Sequence, residues 1–107
     1  MERMDKKSKL YVSLPISGHD MSRVRERCER ARMEYGDRYD VITPIDLCGG
    51  DESLPYSWCM GRCVEALLEC DSVVFLSGWE TSRGCKAEYE IARIYGLSVI
   101  MDNSVES

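Results

Sequence analysis

The chain has 107 residues, of which 44% are hydrophobic and 31% charged, with a formal net charge of −5. That length suits one small domain with a single core, and the composition excludes a disordered or collagen-like chain. The acidic balance lacks the basic footprint that nucleic acid or an anionic membrane surface requires. The N-terminal run "MERMDKKSK" is polar and has no apolar h-region, and no apolar run nears the roughly 20 residues that span a bilayer. A cytoplasmic protein without signal peptide or membrane contact is therefore expected.

In chain order, "KLYVSL" (9–14) reads as a first strand, followed by the turn-forming "PISGHD". Asp20 suits the N-cap of a first helix. Met21, Val24, Cys28, Ala31 and Tyr35 recur on that helix at helical spacing, and Gly36 suits its C′ position. "DVIT" (40–43) is a short second strand, and the turn-rich stretch "PIDLCGGDESLP" reads as a long loop. Pro55 fits the first turn of a second helix, with Met60, Cys63, Val64, Leu67 and Leu68 as its apolar stripe. "SVVFL" (72–76) is a continuous apolar run, as in a strand buried on both faces. A third helix runs from Ser82 to a stop at Gly96, and "LSVIM" (97–101) is a fourth strand.

Strands alternating with helices imply an α/β fold: a small doubly wound parallel sheet of about four strands and three helices, flavodoxin- or Rossmann-like. One domain over residues 9–101 is expected, with flexible termini at 1–8 and 102–107. In such sheets the ligand site lies beyond the carboxyl ends of the strands. The unusual residues cluster there. At about 100° per residue, Gly84, Cys85, Ile91, Ala92 and Tyr95 all lie within roughly 60° of Glu88. Glu88 thus sits in the middle of an apolar stripe, where a carboxylate is costly unless it is paired or used.

The six cysteines form no C-x-x-C pair. They read as reduced, buried, small hydrophobes. A zinc site would need ligands from distant segments and has only His19 as an imidazole. Neither a metal nor a cofactor is expected. His19 beside Asp20 reads as a solvated turn, and Asp71 as structural, at the end of the sheet away from the site.

Three motifs, "YVSLPISG", "WCMGRCVEALLECDSVVFLSGWETSRG" and "GCKAEYEIARIYGL", together resemble a small bacterial and phage family of unassigned function related to the nucleoside 2-deoxyribosyltransferases. The wider superfamily includes 2′-deoxynucleoside 5′-phosphate N-hydrolases. The resemblance spans Lys9 to Met101. It implies a deoxyribosyltransferase-like fold and chemistry at C1′ of deoxyribose. Its nucleophile is the glutamate of a G-x-x-x-E pattern, here Gly84 to Glu88, and a first-strand tyrosine matching Tyr11 helps to position it. A serine resembling that of the phosphate-recognising hydrolases falls at Ser82. Relatives often carry an acid of the catalytic set where this chain has Cys63, and a glycine where it has Leu14.

Glu88 and Tyr11 are thus the catalytic candidates. The substrate-binding candidates are Pro15, Ile16, Ser17, Gly18, Asp46, Trp58, Gly78, Trp79, Ser82 and Gly84. Ser82 reads first as an N-cap, and a phosphate ligand at a helix N-terminus is compatible with that role. Trp79 serves as a base-stacking platform or as a cover for the sheet edge. The expected activity is nucleoside or nucleotide N-glycosidic chemistry, by transfer or hydrolysis. The alternative is a catalytically impaired nucleotide-binding or nucleotide-sensing module. The expected partner is a small nucleoside or nucleotide, and a chain this short is expected to form a homo-oligomer in which a neighbour completes the site.

Overall fold

A computed structural model describes residues 7–102. It contains β1 (Ser8–Ser13), α1 (Met21–Tyr35), β2 (Tyr39–Ile42), α2 (Pro44–Cys48), α3 (Tyr56–Leu68), β3 (Ser72–Leu76), α4 (Arg83–Tyr95) and β4 (Ser98–Asp102). A 3₁₀ turn, Trp79–Thr81, precedes α4. All strand pairings are parallel, in the order β2-β1-β3-β4. The fold is the expected α/β parallel sheet. Ser8 and Asp102, expected in flexible termini, are the outer ends of β1 and β4. The rest of those two termini, apart from Lys7, lies outside the described residues.

The strand period of two builds two cores. Leu10 and Val12 of β1, with Leu14 just past its end, join Val74 and Leu76 of β3 on one face, beneath Val24, Cys28, Ala31 and Tyr35 of α1. Tyr11, Val73 and Phe75 face the other way, beneath Cys63, Ala66 and Leu67 of α3 and Ala92 of α4. Every residue of β3 is buried, as its uninterrupted apolar run requires. Leu67 is wholly enclosed. Replacing such a leucine with alanine costs about 2–5 kcal/mol.

Four details depart from expectation. The "PIDLCGGDESLP" segment is not all loop, because Pro44–Cys48 forms the short helix α2. A capping box starts it. Thr43 Oγ1 accepts from the Asp46 amide at 3.2 Å, and Asp46 Oδ2 accepts from the Thr43 amide at 2.9 Å. Asp20 occupies the N-cap position of α1, yet its carboxylate accepts from the Ser22 hydroxyl at 2.6 Å rather than from a helix amide. Gly36 ends α1 in right-handed geometry. A side chain is excluded there by close approach, since a Cβ would lie 2.4 Å from the Arg32 carbonyl oxygen. Leu68 and Tyr95, the last residues of α3 and α4, leave their stripes and are exposed, while Leu67 and Ala92 in the same turns stay buried.

The architecture brings the carboxyl ends of β1 and β3 together with the first turns of α3 and α4. Asp71 lies at the opposite end, where its carboxylate accepts from the Lys9 amide at 3.0 Å and ties β3 to β1.

Candidate active site

Glu88 is held from the sheet. The helix α4 begins at Ser82, whose hydroxyl accepts from the Cys85 amide at 3.2 Å, so Ser82 is an N-cap as expected. The apolar stripe of α4 then turns Glu88 inward, and only 5% of its surface remains exposed. Tyr11 and Ser13, two apart on the central strand β1, share the face beneath it. The Tyr11 hydroxyl donates to Glu88 Oε2 at 2.9 Å, and the Ser13 hydroxyl donates to Oε1 at 2.7 Å. Burial raises the Glu88 carboxyl above its usual range, and the bonds from Ser13 and then Tyr11 oppose that shift. Burial, reinforced by the charge of Glu88, pushes the Tyr11 phenol well above its usual range, so it stays a donor.

Ser13 was not among the expected site residues. The signal was present in the sequence: a lone small hydroxyl two residues from Tyr11, inside an otherwise aliphatic strand, must share the tyrosine's face.

Two cavities open at the same edge of the sheet, one reaching Cys63, which touches Tyr11, and the other Gly84, one turn before Glu88, while Glu88, Tyr11 and Ser13 themselves line neither. One, of about 350 Å³, is lined by Ile16, Ser17, Gly18 and the three cysteines Cys48, Cys59 and Cys63, among others. The other, of about 520 Å³, is lined by Pro15, Ser17, His19, Tyr56, Ser82 and Gly84, among others. Both fall in the size range of small-molecule sites. Tyr56 stands between them and lines both. Its hydroxyl contacts Met60 Sδ at 3.7 Å, and a Cβ on Gly84 would lie 3.2 Å from it. Gly84 thus lets α3 close over the α4 turn that precedes Glu88. Tyr56 also went unforeseen, because a tyrosine in the first turn of a helix carries no periodic signal.

The structure gathers Glu88, Tyr11, Pro15, Ile16, Ser17, Gly18, Ser82 and Gly84 at one edge of the sheet. Gly78, with a φ of +92°, brings its backbone near Pro15, where a Cβ would come within 3.6 Å of the ring. Three candidates are engaged elsewhere. The Asp46 carboxylate closes the α2 capping box and pairs with Arg32 Nη2 at 2.6 Å. Trp58 projects half exposed from α3 with the Arg62 guanidinium over its ring. Trp79 stacks on Tyr89 at 5.2 Å and packs against Phe75, covering the sheet edge.

Cys63 contacts Tyr11 and Cys48, and burial pushes its thiol up to about 11. It is therefore a neutral thiol at physiological pH, at the position where the resemblance expects an acid. All six cysteines are free thiols. Among the described residues no three or more histidine, cysteine or acidic side chains are placed to hold a metal ion, and no helix is long and apolar enough to cross a membrane.

A model of a family described as a domain of unknown function, DUF4406, matches residues 8–101. The chain belongs to the DUF4406 family. No curated protein matches the sequence. The stretch matched by the DUF4406 model runs from the start of β1 into β4, so the carboxylate, both of its hydroxyl donors and both cavities fall within the family domain.

Proposed function

We propose that this DUF4406 chain binds a deoxynucleoside or its 5′-monophosphate and breaks the N-glycosidic bond, with Glu88 as nucleophile. The observation that carries the proposal is a buried carboxylate gripped on both oxygens at the carboxyl edge of a parallel sheet, beside two ligand-sized cavities. A carboxylate placed beneath C1′ stabilises an oxocarbenium-like sugar and traps it as an ester. The bond to the base breaks with its electron pair leaving on the base, which takes up a proton. Water or a second base then releases the sugar from Glu88. The capped N-terminus of α4, with Ser82 and Arg83 on the larger cavity, suits a 5′-phosphate. Trp79 is left out of this proposal as a base platform because one of its faces is taken by Tyr89.

A second reading has its own support. Cys63 holds the place beside Tyr11 where the resemblance expects an acid, which favours a nucleotide binder with impaired catalysis. Self-association is proposed with either reading. Ile94, Tyr95, Val99 and Met101 are exposed along α4 and the edge strand β4, an apolar surface that a second copy would cover. Light scattering that finds a monomer at high concentration would reject the assembly.

The test is chromatographic detection of free base from deoxynucleosides and their monophosphates, run beside a melting screen. A ligand at a hundred times its Kd adds about 2.7 kcal/mol of stability. Base release by the parent, abolished in Glu88→Ala, is the expected result. Release unchanged in Glu88→Ala would refute the nucleophile. Stabilisation by a nucleotide without any release would favour the binder.

A further inference from the structure

Ser13 sits on the central strand, opposite Phe75 of β3, with none of its surface exposed. Its neighbours from Leu10 to Leu14 are otherwise aliphatic apart from Tyr11. A hydroxyl in such a place costs free energy unless it is bonded. Here it donates to Glu88 Oε1 at 2.7 Å. The Cys85 thiol, on the same face of α4 three residues before Glu88, lies against the same hydroxyl. Ser13 is therefore enclosed between a carboxylate and a thiol of one helix.

We propose that Ser13 is a positioning residue for Glu88: its hydroxyl anchors one carboxylate oxygen and favours the ionised form, while Tyr11 anchors the other. The terminal torsion of a glutamate is broad, so one donor would leave the carboxylate free to swing about its last bond. Two donors from alternate residues of a rigid strand fix its plane. Serine suits the position because its hydroxyl is a full donor, whereas a cysteine donates more weakly. The titratable groups acting together with Glu88 are Tyr11 from β1, Cys63 from α3 and Cys85 from its own helix. Among the described residues no cation acts on its charge, so the two hydroxyls are what oppose desolvation. The consequence for catalysis rests on the N-glycosidic reading. The consequence for the charge of Glu88 does not.

The experiment is an NMR titration of the Glu88 carboxyl carbon in protein labelled at glutamate, assigned by its loss in Glu88→Gln. Wild type, Ser13→Ala, Ser13→Cys and Tyr11→Phe are compared, with base release measured on each. The Glu88 midpoint should rise in Ser13→Ala and rise less in Ser13→Cys. The acid limb of kcat/KM should move with it, and kcat/KM at neutral pH should fall about ten- to a hundredfold. If wild type releases no base yet the midpoint still rises in Ser13→Ala, the N-glycosidic reading fails and Ser13 keeps its role. An unchanged midpoint in a folded Ser13→Ala overturns the role whatever the activity. Should Ser13→Ala not fold, Ser13→Cys decides alone, and a wild-type midpoint there overturns it.

Discussion

Cys63 is the residue on which enzyme and binder part. The residue is 7% exposed, and its thiol lies against Tyr11, on the wall of the smaller cavity. Cys63→Asp would place a second carboxylate near Glu88, with Tyr11 as a shared donor. Two like charges in a poorly solvated site disfavour joint ionisation, so one carboxyl would hold its proton to higher pH. We expect the variant to lose about 1–3 kcal/mol at pH 7.5. Part of that loss should return by pH 5, because a group whose folded pKa is raised stabilises the fold once protonated. Urea unfolding at the two pH values checks this, and an equal loss at both would show that the new carboxylate reaches water. Base release found only in the variant would favour the binder, whereas full activity in the parent would sink it.

At the scale of elements, the contact between the first turns of α3 and α4 decides how Glu88 is reached. Gly84→Ala adds a Cβ 3.2 Å from the Tyr56 hydroxyl. That hydroxyl ends a side chain 60% exposed, so it can move aside. Alanine also gains up to about 1 kcal/mol over glycine within a helix. The expected change in stability is thus within about 1 kcal/mol of zero, while Tyr56 is displaced between the two cavities. Denaturant unfolding should show little, and titration with whichever nucleotide stabilises the parent should show weaker binding. Unchanged affinity would mean that Tyr56 is no part of the ligand wall. The four strands and three longer helices were legible because their apolar periods are clear. The helix α2 was hidden because five residues carry no period, although Thr43, Pro44 and Asp46 spelled its cap. That same cap takes the Asp46 carboxylate away from the ligand edge. The place of Glu88 was legible from its stripe. Its grip by Ser13 was not, because which strand lies beneath which helix depends on the sheet order. The packing of Trp79 on Tyr89 likewise depends on a turn that propensities do not describe.

For the whole molecule, buried acids of very different strength give stability a pH dependence at both ends. The Glu88 carboxyl is raised in the fold above its ordinary value of 4.5. Its contribution is therefore fully present below about 4.5 and is lost as pH rises through the folded value. Relative to Glu88→Gln, wild type should grow less stable between mild acid and neutrality, as urea unfolding across that range would show. A constant difference would mean that the bonds from Ser13 and Tyr11 fully offset the burial of Glu88 and that its carboxyl is not raised in the fold. The alkaline end follows the thiols and phenols. Burial pushes Cys63 and Cys70 up to about 11 from 9.0, and Tyr35, bonded to Asp102, up to about 12 from 10.0. Above about pH 9 the unfolded chain releases thiol protons that the folded chain keeps. The unfolded state then binds fewer protons, so stability falls as pH rises. Cys70, packed under α3 and away from the cavities, isolates the effect. Under reducing conditions Tm should drop between pH 8 and pH 10, and Cys70→Ala should drop less steeply despite a lower starting Tm from the lost packing. Parallel slopes for the two proteins would mean that the Cys70 thiol ionises as readily in the folded chain as in the unfolded one, and that the lower end of the α3 core is open to water.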